Sequence, residues 1–429
     1  MIIHRASKWF AAWLPTCRAM LFLAIASACP TATLASKPPD STSSARAIES
    51  LERDNPEYLY DMHGNANTAL RALMLSRFSA TREMIRAIDR LESKKDKKLL
   101  VAALYKLIAF VKDPGSIDWL RRKIANKDTK EFYENWLPEW TLTFDGIGVW
   151  PWLEGRAHWI EFFVDTFKRE ASGIRRAEIL YVLSGFDDAA VVGFFQEQAQ
   201  ATLGARETLL VARYIAAHGG NADTKKIEKA IASLSSKPED RQFMVELAYT
   251  FRHEAFVPFL IDTLDAPTKA YSRESSWNPQ DALEQITFDF DVHGKVAWKR
   301  WFAQHGAMGR VAWRDRAIRE FRRRLAMDEK AALLVFQKAV YRWNDIMFLS
   351  FIETELANRQ AFQSEIAGWI NLTYAPIYRN QLAPLARSIT TNTRTLETWA
   401  RDLLIERDFL PGRKQRTWEQ EVQISNSAV

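Results

Sequence analysis

Asp289-Phe290-Asp291-Val292-His293 places two carboxylates and an imidazole within five positions. In an extended segment, alternate side chains share a face, so all three could offer oxygen or nitrogen ligands to one cation. The competing reading is a helix start, with Asp291 capping a helix that begins near Gly294. A turn is expected at this point of the chain, so the cap is preferred and no metal is assigned. His253-Glu254 matches the opening of the zinc-protease helix motif, but position 257 is Val and the second ligand is missing. His253 is expected in a turn between helices instead. Glu49-Ser50 and Glu274-Ser275 are Glu-Ser pairs of the kind used by peptidoglycan-cleaving domains. No Gly-Leu-Met-Gln-like segment follows either, and both are read as chance dipeptides. There is no Gly-rich phosphate loop, nucleophile elbow or Cys/His pair. The chain is therefore expected to be non-enzymatic, with no catalytic residue, cofactor or metal.

Two groups of residues point to binding. Trp136, Trp140, Phe144, Trp150, Trp152 and Trp159 form the most unusual local composition, and indoles stack on sugars or anchor protein partners. The glycines and Pro151 in Thr141–Trp152 predict a non-helical loop there. The aromatics then either fold back into the core or form a patch that includes Trp136, Trp140, Trp150 and Trp152. Trp313–Arg324, WRDRAIREFRRR, carries six arginines with Asp315 and Glu320 between them and an apolar stripe at Ile318, Phe321 and Leu325. That spacing predicts a solvated helix face. Arg319, Arg322 and Arg323 are its candidate contacts for an anionic envelope glycan or lipid surface.

These groups must be held by helices. Gly (16) and Pro (15) are each roughly 4% of 429 residues, below the usual ~7% and ~5%. Three stretches repeat one plan of apolar helix face, polar turn, and second helix opening on two large apolar residues. They are Leu104–Ile124, Ile179–Ala199 and Met244–Leu264. Helical pairs that cannot bury their apolar faces alone must stack on one another, so the fold class expected is all-α, an α-solenoid. Leu120, Phe195, Ile227 and Leu260 occupy one column of the repeat, the last three at spacings of 32 and 33 residues. Phe336–Leu356 aligns with Met244–Leu264 without gaps, matching Tyr341 to Tyr249, and extends the column to Ile352 and Leu385.

On these residues the chain resembles a HEAT-repeat protein of the short bacterial kind related to phycobilin-lyase HEAT-like modules. The carrying segments are Ser116–Leu120, Val191–Phe195 and Phe256–Leu260, each preceded by a turn residue (Asp113, Asp188 or His253). Ala282–Thr287 with Ala297–Trp301 is similar to a tail that closes such arrays, where Phe288 stands in place of the usual Gly and leaves the form of its turn open. The resemblance covers about residues 95–305 well and 330–420 weakly. It implies a curved scaffold that binds other proteins through the concave face made by its second helices.

Residues 1–35 are read as a signal peptide. His4, Arg5, Lys8 and Arg18 precede the short apolar run Met20–Ala28, and Thr33-Leu34-Ala35 offers small residues for cleavage. The run is about half of the ~20 residues a membrane span needs, so no transmembrane span is expected. Cleavage after Ala28, and a lipoprotein made through Cys29, are the alternatives. Cys17 and Cys29 are the only cysteines, so the mature chain is expected to lack disulfides. Formal charge is +6, and about +3 without the leader, too mild for a nucleic-acid binder. The organisation expected is signal peptide 1–35, flexible linker 36–55, a first array with a Trp-containing end segment at 56–305, and a degenerate second array at 306–429. The function expected is a periplasmic scaffold with a protein partner. The alternative is an envelope glycan-acting enzyme with a helical-toroid fold, which would need two carboxylates on facing loops.

Overall fold

The computed structural model describes residues 41–54, 69, 72–73, 78–126, 129–141, 153–265, 278–373 and 376–392. Among these residues all regular structure is helical and no strand occurs, so the chain is all-α. None of the described helices is long and apolar enough to cross a membrane. The chain forms two compact units, residues 1–195 with 416–429, and residues 196–415. The second unit runs continuously across position 305, where a boundary between two arrays was expected.

The first unit begins with α1 (Ser41–Asp54), inside the segment expected to be a flexible linker. Its Ser/Pro-rich start conceals a helical stripe. Ser44, Ala47, Ile48 and Leu51 fall at i, i+3, i+4 and i+7, and all four are buried. The helix packs on α2 (Phe78–Leu91), and Arg90 pairs with Glu52 between them. There follow α3 (Lys98–Val111), α4 (Ile117–Ala125), a π-helical turn at Phe132–Trp136 running into α5 (Leu137–Thr141), α6 (Arg156–Arg169) and α7 (Gly173–Leu183). The next helix, α8 (Ala189–Gln200), spans the division between the units.

The second unit continues with α9 (Ala205–Ala217), α10 (Thr224–Ser235), α11 (Pro238–Phe251), α12 (Val257–Thr263), α13 (Pro279–Thr287), α14 (Lys295–His305) and α15 (Gly309–Met327). It then runs through α16 (Glu329–Ala339), α17 (Leu349–Phe351) with a π-helical turn at Ile352–Leu356, α18 (Gln363–Thr373) and α19 (Arg379–Asn392). The column residues Leu120, Phe195, Ile227, Leu260, Ile352 and Leu385 are all buried.

One turn geometry recurs where a first helix hands over to a second. Lys112 and Arg252 end α3 and α11 in the left-handed region, at φ 53° and 54°. The next side chain then caps the following short 3-10 turn. Asp113 accepts from the Gly115 N–H at 2.8 Å, and His253 Nδ1 accepts from the Ala255 N–H at 3.2 Å. Asp345, aligned with His253, accepts from the Met347 N–H at 3.0 Å. Left-handed backbone costs a non-glycine residue about 1–2 kcal/mol, so the tertiary contacts must hold these turns in place.

Phe288 shows the same conformation at the end of α13, with φ 61° and its N–H bonded to the Glu284 carbonyl. The turn that glycine usually makes is thus made here by an aromatic residue. The compensation is packing: Phe288 is buried, edge-on to Phe348 at 4.9 Å and beneath the Arg310 guanidinium at 4.9 Å.

Candidate binding surfaces

In the second unit, α10, α12 and α14 line a surface cavity of ≈ 850 Å³. Each helix is placed by its start. The Asp223 carboxylate caps α10, the His253 turn and Pro258 open α12, and Gly294 at φ 78° admits the chain to α14. Ile231, Ala232, Pro258, Phe259 and Phe302 supply apolar lining, while Glu228, Asp262 and Lys295 supply charge. Lys295 Nζ donates to the Asp262 carbonyl at 3.0 Å and lies 3.8 Å from the Asp265 carboxylate, tying α14 to the end of α12.

Glu254, also on this lining, is committed elsewhere. Its Oε2 accepts from the Arg310 backbone N–H at 2.6 Å, at the positive N-terminal end of α15. The approach needs a glycine at Gly309, where φ is 75° and a Cβ would stand 3.2 Å from that oxygen.

Beside this contact lies a polar cluster that joins α11 to residues 341–348. Asp345 pairs with Arg310, and Arg252 Nη1 lies 3.6 Å from the same carboxylate while donating to the Asn344 carbonyl. The Tyr249 and Tyr341 hydroxyls bond to each other, and Arg342 Nε donates to the buried Glu284 at 2.7 Å. Burial pushes the Asp345 carboxyl up, but the two guanidiniums and the Met347 N–H outweigh it and hold the carboxyl at about 2. Burial also lowers His253, an effect that Glu254 partly offsets, which suits a neutral ring accepting a backbone N–H.

The expected tryptophan patch does not form at Trp136 and Trp140. Both are fully buried and pack against Trp159 and Phe163, at ring separations between 4.9 and 5.9 Å. The π-helical turn followed by α5 directs them inward with Phe132, so these two are core. Trp150 and Trp152 lie outside the described residues.

The arginine-rich segment forms α15, with Trp313, Ile318 and Phe321 buried beneath it. Five of the six arginines singled out have carboxylate partners. Arg314 pairs with Asp315, Arg316 with Asp289, Arg322 with Glu355, and both Arg323 and Arg324 with Glu320. Hydrogen bonds from Arg323 and Arg324 hold the Glu320 carboxyl at about 2. Arg319 is exposed and has no carboxylate partner among the described residues.

Nor does the Asp289–His293 segment gather its ligands around a cation. Asp289 Oδ2 accepts from Trp301 Nε1 at 2.8 Å and from Arg316 Nη2 at 2.5 Å, so a guanidinium already neutralises it. His293 instead meets Gln280, with Nδ1 3.2 Å from its side-chain nitrogen. Among the described residues no group of three His, Cys, Asp or Glu side chains could hold a metal ion. The expected Asp291 cap is also absent. Gly294 holds the N-cap position of α14 without a side-chain cap, and Asp291 spends its own N–H on Asp289 Oδ1 at 3.3 Å.

Sequence reasoning missed the Arg252–Arg310–Asp345 cluster. The usable signal was the gap-free alignment that matched Tyr341 to Tyr249, because these matched tyrosines touch, as do Arg252 and Asn344 at the same offset of 92 residues. Compared with known proteins, the chain matches no family model, no curated protein and no solved structure.

Proposed function

We propose that the protein is an exported, non-enzymatic scaffold of the cell envelope, placed in the periplasm, whose second helices hold a segment of a protein partner. The observation that carries this reading is the cavity of ≈ 850 Å³ bordered by α10, α12 and α14, with apolar and charged side chains interleaved. Its HEAT-like solenoid character is supported by ion pairs that repeat at near-constant separation. Arg90–Glu52, Lys123–Glu92, Arg156–Asp188, Arg206–Asp240 and Arg322–Glu355 bridge residues 31 to 38 positions apart. A stack of helical pairs produces such spacing, because each unit touches its neighbours. The buried column residues and the recurring left-handed turn support the same reading. Export rests on residues 1–35, which lie outside the described residues.

The test is affinity capture from an envelope extract with the full chain, beside an Ala232→Trp/Pro258→Arg variant. Ala232 and Pro258 are both exposed on the cavity lining, so the variant fills it without disturbing the core. Expected is loss of a specific partner by about tenfold or more, about 1.4 kcal/mol, with helicity and thermal midpoint unchanged. An identical partner list from the variant removes the cavity from consideration. A Trp150→Ala/Trp152→Ala variant run alongside reports on those two tryptophans independently.

A further inference from the structure

The positive charge of this chain is concentrated in one place. Residues 295–330 hold eleven Lys and Arg against four Asp and Glu, a net of +7 where the whole chain carries +6. All other residues together are therefore −1. Large exposed apolar side chains gather in the same span, with Val296 at 74%, Met308 at 42%, Val311 at 57% and Met327 at 75% exposure.

The geometry of α15 combines the two. A helix turns about 100° per residue, so Asp315, Arg319, Arg323, Ala326 and Met327 share one face, with Arg322 and Val311 at its edge. Trp313, Ile318 and Phe321 lie buried on the opposite side, so this face points away from the protein along its length. Met327 stands one turn beyond Arg323, at the C-terminal end of this face.

The charge is not all free. Arg322 and Arg323 have carboxylate partners, but those pairs are exposed, and exposed ion pairs exchange readily for other anions. Arg300, Arg319 and Lys330 are exposed with no carboxylate partner among the described residues.

We propose that the solvent face of α15 docks the protein on an anionic lipid surface, with its arginines at the phosphates and Met327 entering the boundary between headgroups and acyl chains. The cations alone would suit any polyanion. An exposed thioether beside them is rewarded where anionic charge and hydrocarbon meet, which is the surface of a charged bilayer. This inference is independent of the cavity on α10, α12 and α14.

The experiment is co-sedimentation of the full chain with phosphatidylcholine vesicles, with and without about one-third phosphatidylglycerol. Expected is binding at least about tenfold tighter to the anionic vesicles, weakening as salt rises. Arg319→Glu/Arg323→Glu should lower that affinity about tenfold or more, and Met327→Ser should lower it several-fold even at low salt. Lys225→Glu/Lys229→Glu on α10 makes the same change in net charge at two exposed sites and should bind within about twofold of the original. Circular dichroism confirms that each variant is folded. Equal binding to neutral vesicles overturns the proposal. So does an unchanged affinity in Arg319→Glu/Arg323→Glu, or an equal loss in the α10 control.

Discussion

Asp345 caps a turn, neutralises Arg310 and faces Arg252, all with one nearly buried carboxylate. Its folded pKa of about 2 lies below the unfolded value of 3.8. The stabilisation it supplies is therefore complete above about pH 4 and is lost as pH falls through 3.8 toward 2. Linkage sets its size at about 2 kcal/mol. Asp345→Asn leaves two half-buried guanidiniums short of their counter-charge and should cost about 3–5 kcal/mol at neutral pH. Urea unfolding at pH 7 and pH 3 measures both effects. An acid dependence as steep in the variant as in the original would show that other carboxylates govern it. The sequence identifies Asp345 only as a turn residue aligned with His253. Its pairing with Arg252 depends on a contact between residues far apart in the chain, which neither local propensity nor periodicity encodes.

At the scale of single elements, the helical stripes were legible where burial follows the 3.6-residue period. Ile318 and Phe321, beneath the arginines of α15, are the clearest case. What escaped was the behaviour of chain ends and turns. α1 begins in Ser-rich sequence, because packing of Ala47, Ile48 and Leu51 outweighs the weak helix propensity of the serines around them. For Trp136 and Trp140 the sequence left core and patch open, and their complete burial decides for the core. Phe288 gives this scale its test. Alanine at 288 would lose the packing and keep the left-handed strain, whereas glycine would lose the packing and release the strain. Both substitutions should cost about 3–5 kcal/mol, with Phe288→Gly the more stable by about 1 kcal/mol. That reverses the order found within helices, and chemical denaturation of the two variants decides it. Alanine equal to or better than glycine would mean that the turn relaxes when the aromatic ring is removed.

At the scale of the whole molecule, every described residue lies between 41 and 392, and that span contains no cysteine. Its cohesion is a matter of apolar burial, indole clusters and side-chain ion pairs, so thermal unfolding should have the same midpoint with and without dithiothreitol. A fall of several degrees on reduction would place a cross-link between Cys17 and Cys29 in the stability of the fold. The two sequence cues to function met different fates. Composition located the arginine helix correctly, because charge density survives any folding. The cavity on α10, α12 and α14 left no such mark, since its lining comes from three separate helices and from no contiguous motif.

The tyrosine pair carries a consequence for the order of assembly. Ion pairs about 33 positions apart can close soon after their residues emerge, but Tyr249 and Arg252 must await partners 92 positions later. At ordinary rates of synthesis that delay is on the order of ten seconds. Throughout it, Arg252 and Glu284 remain hydrated, with water in place of Asp345 and Arg342. A surface built from such groups repels the casual hydrophobic contacts that trap unfinished chains. The polar character of this junction thus suits it to wait in water until residues 341–345 arrive to cover it.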